Sequence, residues 1–371
     1  MPKHSEKNAR IKRDYFRYRR EAQRADEKSI DVVARALARF EESTRHKDFA
    51  TFNRDQAMAF KRRLGEAVNA RTGERLSKAT AHATLKALRA FFHWLAGQPG
   101  YRSKLTHDDA DFFNLSDKDV RIAQGSLPKA YPSMEQVHHL LATMPATTAI
   151  ERRDRALIAC AILSGARDGA LRSLKLKHVN LAEQRIDQDA REVDTKNSKT
   201  FAAWFFPVGG DALAILTDWC GYLRNELHRG DGDALFPATA VAPDGYGVFA
   251  PAGLLREGWR STGPVRLAYR RAFASADLPY FKPHSLRDTL AQLGERMCPT
   301  IEAFKAWSQN LGHKGMLTTL TSYGTIAPHR QAELIRSLGT PKPAMPDGQE
   351  LALALATIQR LVPKGGEFAR T

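Results

Sequence analysis

A few polar residues in the second half of the chain have side chains that could share one reaction. Arg167 ends the run Ser164-Gly165-Ala166-Arg167, and Lys196 lies in Asp194-Thr195-Lys196-Asn197-Ser198-Lys199. His284 and Arg287 bracket His284-Ser285-Leu286-Arg287, and His313 lies in Leu311-Gly312-His313-Lys314. Tyr323 follows ten residues after His313. Two arginines, a lysine, two histidines and a tyrosine form neither a metal site nor an acid–base pair of carboxylates. They suit a phosphodiester. Its pentavalent transition state gathers negative charge on the non-bridging oxygens, and a guanidinium fork donates two parallel hydrogen bonds to such oxygens. A phenolic oxygen can then serve as nucleophile and hold the phosphoryl group covalently. Each residue alone is unremarkable, since most arginines are surface residues. The inference rests on their order and company.

That order and wording resemble the tyrosine recombinase (phage integrase) family. Lys282-Pro283-His284-Ser285-Leu286-Arg287-Asp288-Thr289 resembles the family's second signature box, and Leu311 to Lys314 with Thr318 to Tyr323 resembles the third. The resemblance implies that Arg167, His284, Arg287 and His313 contact the scissile phosphate and that Tyr323 attacks it. It also implies that Lys196, on a turn between two strands, protonates the leaving 5′ oxygen. Lys199 is the close rival for that task, and for either lysine contact with the DNA backbone is the plain alternative. The chain departs from the family pattern at Ala170, where an acid is usual, at Asp288, where histidine is frequent, and in the ten-residue step from His313 to Tyr323.

These residues need elements to hold them. His284 and Arg287, at i and i+3, share a helix face. Ala156 to Ile162 reads as an apolar helix, with Ser164-Gly165-Ala166 a tight link before Arg167 opens the next one. Arg185-Ile186-Asp187 and Phe201 to Val208 read as strands flanking the lysine turn. Ser133, with Gln136 three residues on, has the form of a capping box. Helices are expected at 211–225 and 265–276. The Gly- and Pro-rich stretch 230–263 reads as a long irregular insertion. A terminal helix over 349–362 carries Leu351, Leu355, Ile358 and Val362 at helical spacing after a Pro-rich linker.

Upstream, residues 27–97 read as a small helical domain. A helix is expected over 54–66 with Asn53 as cap, and another over 77–95 with Ser77 as cap. In the latter, Ala81, Leu85, Leu88, Phe92 and Leu95 form an apolar stripe while Lys78, His82, Lys86 and Arg89 lie on other faces. This segment resembles the family's core-binding domain, which makes those four residues, with Lys199, candidate DNA contacts. Residues 1–24 hold nine Lys or Arg against three acids. They read either as a DNA-contacting arm or as a solvated helix with a few buried aromatics.

Composition narrows the class. The 371 residues carry 57 Lys+Arg against 41 Asp+Glu, a net charge of +16, which favours a polyanionic partner. Residues 1–125 contribute 27 Lys+Arg against 17 Asp+Glu. No apolar run reaches the ~20 residues of a membrane span. The three cysteines are far apart and odd in number, so neither zinc spacing nor a disulfide framework is expected.

The expectation is a mainly α protein with a small antiparallel β-sheet (α+β). It has a basic arm at 1–26, a helical core-binding domain at 27–97, a linker at 98–132, a catalytic domain at 133–338, and a linker with C-terminal helix at 339–371. The resemblance implies a site-specific recombinase that needs no cofactor or metal. It would act on double-stranded DNA at specific core sites as a homotetramer, and an accessory DNA-bending protein is compatible with that. A bacterial cytoplasmic, nucleoid-associated setting follows, with no membrane partner. The alternatives are a resolvase or type IB-like topoisomerase with the same chemistry, or a catalytically silent DNA-binding protein on this fold.

Overall fold

The computed structural model describes residues 5–69, 72–125 and 130–313. Tyr323, the Pro-rich linker and the expected terminal helix lie outside the described residues. The chain divides into two compact units, Met1–Gly125 and Ser126–Thr371.

The first unit is helical: α1 (Glu6–Glu21), α2 (Glu27–Ser43), α3 (Arg54–Glu66), α4 (Lys78–Ala96), and the short α5 (His107–Ala110) and α6 (Asp117–Gln124). The expected caps form, with Asn53 accepting from the Gln56 N–H and Ser77 from the Thr80 N–H. The core is aromatic. Phe40 packs edge-on against Phe60, Phe92 and Phe113, and Phe49 against Phe91. Such contacts add about 0.5–1.5 kcal/mol per pair beyond burial.

Two segments join this core. In α1, Tyr15 is 1% exposed and meets Phe91 and Trp94. Asn8 of α1 donates to Lys47 O at 2.9 Å and accepts from the Phe49 N–H at 3.0 Å. Residues 6–21 are thus a helix docked on the core through Tyr15 and Asn8. Where the sequence suggests a linker from residue 98, Leu105, Ala110 and Phe113 are buried in the same core. The acids there meet basic helices, Asp109 against Arg54 and Asp111 against Arg89, both at 2.7 Å.

The second unit contains α7 (Met134–Thr143), α8 (Ala149–Ser164), α9 (Asp168–Ser173), β1 (Val179–Asn180), β2 (Arg185–Gln188), β3 (Phe201–Trp204), α10 (Gly210–Asn225), β4 (Pro237–Pro243), β5 (Phe249–Gly258), α11 (Gly263–Ser275), α12 (Ser285–Met297) and α13 (Ile301–Asn310). The class matches the expectation, mainly α with small antiparallel sheets. The axis is α8, whose residues Ala156 to Leu163 are all at most 2% exposed. Helices α7, α10, α11 and α12 pack around it, which is why the stretch from Ala156 to Leu163 is apolar on every face. The capping boxes Ser133/Gln136 and Thr148/Glu151 start α7 and α8.

Two expectations are corrected. Residues 230–263 are not irregular, since β4 and β5 form an antiparallel hairpin with a register shift near Ala240 and Val241. Asp244 makes its turn, the side chain accepting from the N–H groups of Tyr246 and Val248. The strands of this hairpin are rich in Ala, Pro and Gly, so they lack the β-branched alternation that marks a strand. The strand expected over 201–208 stops at Trp204. Beyond it the Phe206 N–H bonds Leu163 O, and Phe206 and Val208 turn into the core.

Candidate active site

Arg287 is the centre of the site. It sits in the first turn of α12 and is 2% exposed. Its guanidinium donates to Gly165 O and to Leu311 O, the latter at 2.6 Å, and lies 3.0 Å from His313 Nε2. Its Nε has no partner among the described residues. The start of α12 is fixed by side chains, Ser285 Oγ donating to Lys282 O and Thr289 Oγ1 to Pro132 O, both at 2.6 Å. The sequence places Arg287 on a helix face but gives no sign that two backbone carbonyls hold it.

Both carbonyls come from tight turns that depend on glycine. Gly165 ends α8 with φ +62°, and a Cβ there would lie 2.8 Å from a Leu311 methyl. Gly312 has φ +71°, and a Cβ there would lie 2.8 Å from the Phe201 ring. Only glycine tolerates both the left-handed backbone and the close approach. Ser164 braces the first turn, its Oγ donating to Cys160 O and accepting from the Ala166 N–H.

Arg167 is the N-cap residue of α9, half-buried. Lys196 is exposed on a single helical turn between β2 and β3, where Asn197 adopts φ +60°. One small cleft is lined by Arg167, Lys196, Lys199 and Arg287, together with Gln188 and Thr195. Sequence reasoning missed those last two, and nothing in their spacing marks them. The two lysines differ. Lys199 Nζ donates to Gly312 O at 2.8 Å, so its ammonium helps hold the turn before His313. Lys196 makes no such bond among the described residues.

His313 is 9% exposed. Burial, then the charges of Arg287, Arg167 and Lys199 and the neighbouring His284, lower its pKa from 6.5 to about 3. It is therefore neutral near neutral pH. Since the Arg287 N–H can only donate, Nε2 accepts and the proton sits on Nδ1. His284 is exposed at the N-cap of α12. The structure thus brings together Arg167, Lys196, Lys199, His284, Arg287 and His313. Positive charge converges there and, with burial, depresses the basicity of His313, an environment that favours an anion. Among the described residues no group of His, Cys, Asp and Glu could hold a metal ion.

The remaining sequence candidates lie on α4 of the first unit. Lys78 pairs with Asp119 at 2.9 Å and Arg89 with Asp111. His82 is half-buried and Lys86 exposed.

Comparison with known proteins places this arrangement. The phage integrase family matches residues 133–327. The tyrosine recombinase XerC of Ralstonia pickettii (strain 12J) is 28% identical over 254 residues, which cover 67% of this chain and 69% of that protein. A lambda integrase dimer bound to a COC′ core site has the same fold with a TM-score of 0.58 at 14% identity, covering 86% of this chain and 99% of that one. A lambda integrase tetramer bound to a Holliday junction gives 0.54 at 15% identity, covering 87% and 81%. The chain belongs to the phage integrase family, and it is a tyrosine-type site-specific DNA recombinase.

Proposed function

We propose that the protein cuts and rejoins duplex DNA through a 3′-phosphotyrosyl bond to Tyr323, with the cleft around Arg287 holding the scissile phosphate. The convergence of Arg167, Lys196, Lys199 and Arg287 on one cleft beside His313 carries this reading. Arg167 and Arg287 neutralise the non-bridging oxygens as charge grows on them, and His284 and His313 complete the hydrogen bonding. The Tyr323 phenolic oxygen gives up its proton to solvent and bonds to phosphorus while the 5′ oxygen departs and takes a proton from the Lys196 ammonium. Lys199 is the less suited donor because its ammonium already serves Gly312 O. Rejoining reverses the step: a 5′ hydroxyl attacks the phosphotyrosine, so the bond energy is kept and no nucleotide cofactor is needed.

The first unit adds its own grip on the duplex, with Lys78, His82, Lys86 and Arg89 of α4 on phosphates. Four protomers on two core sites would complete recombination, and the tetramer reported for lambda integrase supports that arrangement. A bacterial cytoplasmic enzyme of a mobile element is the setting this implies, and no described helix is long and apolar enough to cross a membrane.

A nicked suicide duplex carrying the core site tests the chemistry. Wild-type protein should accumulate a covalent adduct visible on a denaturing gel. Tyr323→Phe should give none, while its duplex affinity stays within a few-fold because phosphate contacts supply most of it. An adduct formed by the Phe variant would overturn the assignment of Tyr323.

A further inference from the structure

The lysine turn and the His313 segment are far apart in sequence, and one side chain ties them together. β3 is the edge strand of the β1-β2-β3 sheet. Trp204 stands opposite Arg185 of β2, yet the bond to β2 at this end is made by the next residue, the Phe205 N–H to Gln184 O. The Trp204 N–H and C=O therefore face the open edge. Asn310, the last residue of α13, takes both. The Trp204 N–H donates to Asn310 Oδ1 at 2.7 Å, and Asn310 Nδ2 donates to Trp204 O at 2.8 Å. Its amide thus pairs with one strand residue as a neighbouring strand would.

We infer that Asn310 is a positioning residue for the strand-cleavage reaction, setting the Lys196 turn relative to His313. Three observations support it. Asn310 is three residues before His313, and Trp204 is eight after Lys196 along a short hairpin. Two further contacts join the same segments, the Lys199 bond to Gly312 O and the packing of Gly312 on the Phe201 ring. Of the three, only the Asn310 pair fixes direction as well as distance, because it uses two antiparallel hydrogen bonds on one residue. Without it the hairpin edge is unpaired, and the Lys196 ammonium loses its fixed place beside the leaving oxygen. General acid catalysis needs that place held to within hydrogen-bond reach. The assignment touches no substrate, and it rests on the reading of Lys196 as proton donor.

The test compares Asn310→Ala with Lys196→Ala in the full-length protein. Cleavage is followed on two suicide duplexes, one with the natural 5′ oxygen and one with a bridging 5′ sulfur, whose thiolate leaves without a proton. Asn310→Ala should slow cleavage of the oxygen substrate about tenfold or more. On the sulfur substrate it should come within a few-fold of wild type, with duplex affinity unchanged. Asn310→Asp, which keeps the size but turns an oxygen toward Trp204 O, should behave like the alanine variant. Equal slowing of Asn310→Ala on both substrates, or none on either, would overturn the inference while leaving Lys196 in place if Lys196→Ala is rescued by sulfur. A Lys196→Ala variant that sulfur does not rescue would refute the proton-donor reading itself. The clip is then judged by amide hydrogen exchange alone. Asn310→Ala should speed exchange at Trp204 and through 196–204 but not in α8, and unchanged exchange at Trp204 would sink it.

Discussion

Three cations of the first unit and one of the second are held in opposite ways. In the first, three cations are held by carboxylates at the surface: Lys78 by Asp119, Arg89 by Asp111 and Arg54 by Asp109. In the second, Arg287 is buried and held by two backbone carbonyls, and no described ion pair includes it. An arginine paired with a carboxylate must exchange that partner for a phosphate, so its net contribution to binding is small and sensitive to salt. An arginine oriented by carbonyl dipoles keeps its full charge and needs no rearrangement when phosphate arrives. The first arrangement suits adjustable grip, the second preorganised stabilisation of a transition state. The units differ equally in what holds them together, interlocked rings in one and an aliphatic helix with buried polar residues in the other.

Substituting the site arginines should expose the contrast most sharply. Arg287→Ala should slow cleavage by several kcal/mol, on the scale of ~3–4 kcal/mol for lost preorganised donors. It should also lower stability, because the Gly165 and Leu311 carbonyls lose a buried donor at ~1–3 kcal/mol each. Arg167→Ala, at a half-buried position, should give a comparable loss of cleavage with little loss of stability. Lysine should rescue either poorly, for lack of the planar fork. Single-turnover cleavage and urea melts read both quantities. An Arg287→Ala protein as stable as wild type would remove the claim that backbone carbonyls hold this cation.

Acid should find the second unit next. The folded His313 takes up a proton only near pH 3, whereas an unfolded histidine does so near 6.5. The unfolded state therefore binds more protons between those values. The stability due to neutral His313 is complete above about pH 6.5 and is lost as pH falls toward 3. His313→Asn should flatten the dependence of the urea midpoint on pH in that window. An unaltered slope would show that His313 does not titrate well below its free value in the folded protein. A phosphate analogue in the cleft should raise the His313 pKa, and the imidazole proton resonances would report it.

The first unit should give the smallest effects. Lys78→Ala or Arg89→Ala should weaken duplex binding modestly and alike for any sequence, lowering the salt slope by about one each. Asp111→Asn should do the reverse, since it releases Arg89. If it weakens binding instead, Arg89 is oriented by Asp111 rather than restrained by it.

Much of this was readable in the chain, for local reasons. Asn53, Ser77 and Ser133 cap helices by bonds to residues three further on. The spacing of His284 and Arg287 needs only one turn of helix. What escaped was non-local. The carbonyl partners of Arg287 come from 122 and 24 residues away. The sequence singles out Arg287 by its company but does not show that carbonyls hold it, whereas the equally buried Arg153 is held by Asp154, Pro237 O and Thr239 in a structural role. The β4–β5 hairpin escaped because its strands are built from Ala, Pro and Gly. The lysine turn was found, but its anchor at Asn310 was not, since an asparagine ending a helix usually signals only a terminus.

The bonds of Arg287 also order events during synthesis. Domains tend to fold as units, the N-terminal one first, while the chain is still being made. The first unit can close its ring-packed core once residue 113 has emerged. Arg287 cannot be seated until Leu311 has been added and its carbonyl has met the guanidinium. A chain that stops short of Leu311 therefore has its first core closed but its central arginine unseated. A DNA recombinase gains from that order, because Arg287 is seated only in a molecule whose second unit has been built through Leu311.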